Sequence, residues 1–216
     1  MPLRRAVAFG CAAIIAAFVL QGCAAGLRES RKHPALSDQR FELGKVSVAP
    51  FHAGRTFGRS EDRRVVPSDS ALVVAKQVAE AIAARGIPVV SPEDIRSAAD
   101  PAATSSDSLD PARVLAAASD FGANAVLTGT VVRWRDRQGE RLGASAPASV
   151  GFEVTLLRVP DGAKLWTAVF DETQQPLTEN LFNAFRYPGG GSRWLTAEEL
   201  SGWGADEVAT ALPLGS

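Results

Sequence analysis

VGFEVTLLRVPDGAKLWTAVFD, residues 150–171, is the stretch on which the fold turns. Val150, Phe152, Val154 and Leu156 recur with a period of two, as a strand with one buried face requires. Pro160-Asp161-Gly162 follows as a tight turn, because proline presets its own φ and glycine accepts a positive one. Lys164 to Asp171 returns as a second strand carrying Leu165, Trp166, Val169 and Phe170. Such a hairpin needs a cover for its apolar face and a neighbour at its edge. Upstream, Asn124 to Arg137, with Val126, Leu127, Val131 and Val132, reads as a long third strand.

Further back the period changes. Lys45-Val46-Ser47-Val48-Ala49-Pro50-Phe51 alternates as a strand, which ends or meets an edge at Pro50. A long loop from His52 to Pro67 leads to a helix capped by Ser68 or Asp69, with Leu72, Ala75, Val78, Ala79 and Ile82 on one face. Gly86 stands where a left-handed stop belongs, and Ile87-Pro88-Val89-Val90 is a short buried strand. Ser91-Pro92 and Asp110-Pro111 open two more helices, the second with Val114, Leu115, Ala118 and Phe121 inward and Gly122 at its end. The order β-α-β-α-α-β-β-β predicts an α/β sandwich: a mixed sheet with crossover helices, followed by a C-terminal helical tail. Val126, Phe152, Val154, Leu156 and Ile82 are expected to be buried between the sheet and the first long helix. In the tail, Leu177 to Phe185 reads as a short helix, and Thr196-Ala197-Glu198-Glu199 as a capping box opening a last one.

The N-terminus carries a different message. Arg4 and Arg5 precede an uncharged run from Ala6 to Leu20, then Leu20-Gln21-Gly22-Cys23. Fifteen helical residues rise roughly 22 Å, short of the ~30 Å hydrocarbon core, so the run reads as a cleaved signal and not a span. A basic start, an apolar run and a small residue before cysteine form a lipoprotein signal, with Cys23 as the lipidation site. Four segments follow: 1–22 signal peptide, 23–43 flexible tether, 44–171 α/β domain and 172–216 C-terminal helical extension. Removing the signal takes Arg4 and Arg5 and shifts the net charge from −1 to −3, which argues against nucleic acid as a partner. With Cys11 in the signal and Cys23 acylated, the body holds no thiol, which excludes a disulfide, a thiolate metal site and a cysteine nucleophile.

Four sequences, KVSVAPF (45–51), ARGIPVV (84–90), FGANAVLTGTV (121–131) and DGAKLW (161–166), resemble in their order a group of envelope lipoproteins. The group includes the curli-secretion channel lipoprotein, the penicillin-binding-protein activator lipoprotein and the Pel-type exopolysaccharide-export lipoprotein. The resemblance covers Lys45 to Phe170 and does not single out one of the three. It implies an α/β body like an anticodon-binding domain, carried on a lipidated cysteine and acting through protein contacts or ring assembly.

Candidate chemistry is sparse. His33 and His52 have no partner at ligand spacing, and Gly189-Gly190-Gly191 lacks the Lys-Ser/Thr of a phosphate loop. Asp171 and Glu172 are adjacent on a strand, so they point to opposite faces and do not converge on one atom. Two features point to contact. Arg133, Arg135 and Arg137 alternate along one strand, a stripe suited to an anion or to protecting a sheet edge, with Trp134 directed the other way. Trp194 lies in a polar, glycine-rich context. The sequence therefore predicts a non-enzymatic accessory or scaffold in envelope secretion, export or cell-wall assembly. No cofactor or metal is expected. Its partners would be the membrane through acyl chains on Cys23, envelope proteins or glycan, and a second copy in a homo-oligomer. Ala24 after the cysteine favours the outer membrane, with the body facing the periplasm. The alternative is a lipid- or glycan-binding auxiliary lipoprotein of an envelope transporter.

Overall fold

The computed structural model describes residues 26–37, 41–54, 66–102, 109–159, 161–175, 187–188 and 193–213. The first half of the chain forms β1 (Leu27–Lys32), α1 (Pro34–Ser37), β2 (Val46–Val48), β3 (His52–Ala53), α2 (Ser68–Ala84), β4 (Val89–Val90) and α3 (Pro92–Ala99). The second forms α4 (Pro111–Asp120), β5 (Ala125–Arg135), β6 (Gln138–Glu140), β7 (Gly143–Ala146), β8 (Ser149–Arg158), β9 (Lys164–Thr173) and α5 (Ala197–Ala211). Seven strands among the described residues make one mixed sheet in the order β1-β9-β8-β5-β2-β4, with β3 also on β5, while β6 and β7 form a separate ribbon. The expected α/β architecture is the observed one.

The strand expected over 45–51 is observed as β2, and a second short strand, β3, follows it. Both run parallel to β5, at Val46↔Ala125 and His52↔Thr130. The break falls around Pro50, which has no N–H to give to a ladder. The first residues of the loop read from His52 to Pro67 thus belong to the sheet. From β2 the chain crosses through α2 outward to β4, then returns through α3 and α4 to β5 on the other side of β2. Two crossovers of one hand running in opposite directions put their helices on opposite faces.

The core divides accordingly. On one face α2 and α5 cover Val46, Val48, Leu127, Phe152, Val154, Leu156, Trp166 and Phe170. On the other, α3 and α4 bury Ile95, Val114, Ala117 and Ala118 against Ala49, Val90 and Val126. Val126 is thus buried as expected, but under α3 and α4 and not under α2. Its neighbours Ala125 and Leu127 take the α2 face, and alternation sends Val126 the other way. Phe121 also departs from expectation: it caps α4 at 39% exposure while Ala117 fills the inner position. On α2 the N-cap is Pro67, with no side-chain cap, rather than Ser68 or Asp69.

Both ends of the chain are more integrated than their sequences indicate. The tether read over 23–43 contains β1, which pairs antiparallel with β9 from Leu27↔Phe170 to Lys32↔Trp166. Backbone pairing holds this strand, since five of its six residues are exposed. The extension read over 172–216 begins inside β9, and its helix α5 is part of the core. Leu200, Ala205 and Val208 are fully buried, and Gln77 of α2 bonds the Glu198 carbonyl and the Ser201 hydroxyl. The capping box forms as read, with Thr196 and Glu199 exchanging side-chain and backbone bonds. The helix expected over 177–185 and the glycines 189–191 lie outside the described residues, as do the signal segment and Cys23.

Candidate interaction surface

The arginine stripe starts at a bulge. Between Val131↔Phe152 and Arg133↔Gly151 the register of β5 on β8 shifts by one residue, leaving Val132 unpaired. Beyond it Trp134 lies opposite Val150 on the α2–α5 face, and Arg133 and Arg135 lie opposite Gly151 and Ser149 on the other. Arg133 and Arg135 therefore face away from Trp134, but β5 ends at Arg135, so Arg137, expected on the same strand, lies beyond it.

Arg133 is held by its neighbours. Its guanidinium forms an ion pair with Asp171 of β9, two strands away, reaching across Gly151. A Cβ at 151 would sit 3.3 to 3.5 Å from Val132, Arg133 and Asp171 together, so the missing side chain is what opens the path. Nε of Arg133 donates to Ser149 Oγ at 2.6 Å, which in turn shares a bond of 2.6 Å with Thr173 Oγ1. Asp171 also meets Arg28 of β1, whose Nε lies 3.1 Å from the carboxylate. Four strands are thus laced by one polar row at the end of the sheet where β8 begins.

The remaining members differ. Arg137 donates Nη1 to the Trp194 carbonyl at 3.0 Å, and the Trp194 N–H donates to the Arg141 carbonyl at 2.8 Å. Arg135 is the free member: its Nε is buried and has no acceptor among the described residues. So the structure brings Arg137 and Trp194 together, fixes Arg133 within the sheet, and leaves Arg135 open. Trp194 is half-buried, and Trp166 is fully buried with its Nε1–H on Ser30 Oγ.

Asp171 and Glu172 point to opposite faces, as read. Glu172 is buried and accepts from the Tyr187 hydroxyl at 2.8 Å, while Tyr187 stands edge-on to Trp203. Sequence reasoning missed this pairing because nothing in the spacing of residues 172 and 187 announces it. Gln174 is a second hidden tie, accepting from the Leu195 N–H at 2.7 Å and donating to the Arg193 carbonyl at 2.8 Å. Close by, burial would raise the Glu199 carboxyl, but the Thr196 N–H and the Arg193 guanidinium hold it below its usual value.

Elsewhere a small open pocket of about 50 Å³ lies between α4 and the sheet. Val114, Leu115, Val126 and Leu157 make its apolar wall, with His52 and Thr128 as polar points. It sits just past the carboxyl end of β2, where the strand order reverses, the usual place for a ligand in a sheet of this kind. His33 is elsewhere, 3.4 Å from Thr167 Oγ1. Among the described residues no group of three or more His, Cys, Asp or Glu gathers as a metal site.

No protein family matches the sequence, and no curated protein does. Solved structures do resemble it. The PelC dodecamer of Paraburkholderia phytofirmans is 18% identical over 85% of this chain and 94% of its own, with a TM-score of 0.49. Lipoprotein GNA1162 of Neisseria meningitidis is 14% identical over 66% and 93%, at 0.43. The C-terminal domain of LpoB from Salmonella enterica is 18% identical over 65% and 94%, at 0.41.

Proposed function

We propose that this protein is a lipid-anchored, periplasm-facing lipoprotein of the outer membrane that serves an envelope assembly as a non-enzymatic accessory or scaffold. The observation that carries the reading is Leu20-Gln21-Gly22-Cys23 behind a basic start and an apolar run. The body supplies surfaces for contact. α3 and α4 gather at the β2–β4 side of their face, so Glu153 of β8 is exposed, and Thr155, Thr167 and Val169 are half-exposed. Arg135 lies on the same face, and Trp194 stands at the β6–β7 turn; these two would meet an envelope protein or glycan while Arg133 and Arg137 hold the frame. Assembly into a homo-oligomer would use the same open face.

The test is Cys23→Ala in the producing cell, followed by acyl labelling and density-gradient separation of the membranes. The variant should accumulate as unprocessed precursor without label, while the wild type carries acyl chains and sediments with the outer membrane. A wild-type protein that matures at another residue and carries no acyl chain removes the basis of the reading.

A second reading, a lipid- or glycan-binding auxiliary of an envelope transporter, is favoured by the pocket beside α4. Its apolar wall with two polar points would take a small apolar group, such as the end of a lipid chain. Binding of lipid or glycan that Leu115→Trp blocks, with the fold preserved, would favour this reading over the scaffold.

A further inference from the structure

Where the chain enters the sheet limits how far the body can stand from its anchor. Cys23 is three residues before Gly26, so their Cα atoms are at most about 11 Å apart whatever path the link takes. Gly26 is already in place: its carbonyl accepts from the Asp171 N–H at 3.0 Å, and its Cα packs against Phe170 and Trp203. Asp171 is level with Gly151, two residues from the start of β8. The anchor therefore attaches at the end of the sheet where β5 finishes and β8 begins.

The β6–β7 ribbon leaves the sheet at that same end, because it joins Arg135 to Ser149. At its tip Leu142 is 84% exposed. The ribbon is fixed in direction, since Trp194 and Arg137 bond across its base and turn. The other large apolar side chain exposed among the described residues, Phe121, lies at the far end of β5, about 33 Å away along eleven residues of strand. One exposed leucine is ordinary on a protein surface. An exposed leucine at the tip of a braced ribbon, at the end tied to an acyl anchor, has a bilayer within reach.

We propose that the Ser149 end of the sheet rests on the membrane surface, with Leu142 entering the lipid headgroup region and the Phe121 end directed away. This orientation rests on acylation of Cys23. The occupant of the surface is lipid, because so short a link keeps this pole beside the bilayer. A side chain of this kind at an interface adds an apolar contact to the covalent anchor.

The test uses the mature acylated protein in vesicles of phosphatidylethanolamine and phosphatidylglycerol. With Cys23 acylated, Leu142→Cys or Phe121→Cys supplies the one free thiol for a fluorescent probe. Spin-labelled lipids with the quencher near the headgroup should suppress the probe at 142 and leave the probe at 121 bright, and emission at 142 should shift to the blue on vesicle binding. Flotation with the vesicles is measured on the same samples. A protein that floats while both probes stay bright, or while both are quenched alike, overturns the orientation alone. A protein that neither floats nor carries acyl chains overturns the anchor reading and the orientation with it.

Discussion

Gly202 and Gly204 stand two residues apart on α5 and should answer the same substitution with opposite signs. Glycine inside a helix costs about 1 kcal/mol relative to alanine, so propensity alone predicts that either change to alanine stabilises. The surroundings reverse one of them. A Cβ on Gly204 would lie 2.8 Å from Cδ1 and Cε1 of Phe170. That ring is fully buried, stacked on Phe152 with centroids 5.2 Å apart and met edge-on by Trp203 at 5.6 Å. It cannot yield without disturbing both. Overpacking of this kind costs about 1–3 kcal/mol, which leaves Gly204→Ala a net loss of about 1 kcal/mol. On Gly202 the same atom meets nothing closer than Gln77 Nε2 at 3.6 Å. There the gain survives, at about 0.5–1 kcal/mol. Urea unfolding reads both: at a slope of roughly 2 kcal/mol per molar, the midpoints should part by about 0.5 M in each direction, with slopes unchanged. A Gly204→Ala protein stabilised as much as Gly202→Ala would mean that α5 does not press on Phe170 and is an appendage of the sheet.

Two further expectations concern charge. Asp171→Ala should cost roughly 1–3 kcal/mol in denaturant unfolding, because the half-buried Arg133 loses its charged acceptor. Arg28→Ala, at the exposed side of the same carboxylate, should cost less than about 1 kcal/mol, and equal losses would contradict the account of the polar row. At the β8–β9 turn, the Arg158 guanidinium and then the Ala163 N–H hold the Asp161 carboxyl down at about 2. An unfolded aspartate titrates near about pH 4, so the stabilisation from this turn is complete above that pH and is lost as the pH falls toward about 2. An NMR titration of Asp161 should find the low midpoint, and Arg158→Gln should return it toward the ordinary range; an unmoved midpoint would contradict the assignment.

The central fold was legible because its strands and helices bury one face each. Val150 to Leu156 alternate, α2 repeats at helical spacing, and Ser91, Asp110 and Thr196 cap their helices through their side chains as their sequences promise. Pro50 marked the interruption between β2 and β3 for the reason that proline always does. What escaped reading lacks a buried face or depends on distant partners. β1, Leu-Arg-Glu-Ser-Arg-Lys, is a charged border strand held by its backbone, and its composition is that of a linker. The β6–β7 ribbon is too short and too polar to show a period. α5 was recognisable as a helix, but its place against α2 depends on Gln77 and Phe170, far away in sequence. Alternation places Arg133 and Arg135 on one face, but the strand stops short of Arg137, and Gly151 and Asp171, which decide what Arg133 does, belong to other strands. Trp194 and Arg137 stood out separately; the hydrogen bond that joins them did not.

With Cys23 acylated as proposed, the border strand β1 would also be a joint that bears load. If the envelope pulls on the body, the tension passes from Cys23 through Gly26 into β1 and on to β9. Pulled along its axis, β1 loads its five paired positions, from Leu27 to Lys32, together and resists as a unit. Pulled sideways, it surrenders them one at a time, starting from the Gly26 end. The angle between such an anchor and the sheet would therefore set the strength of the attachment.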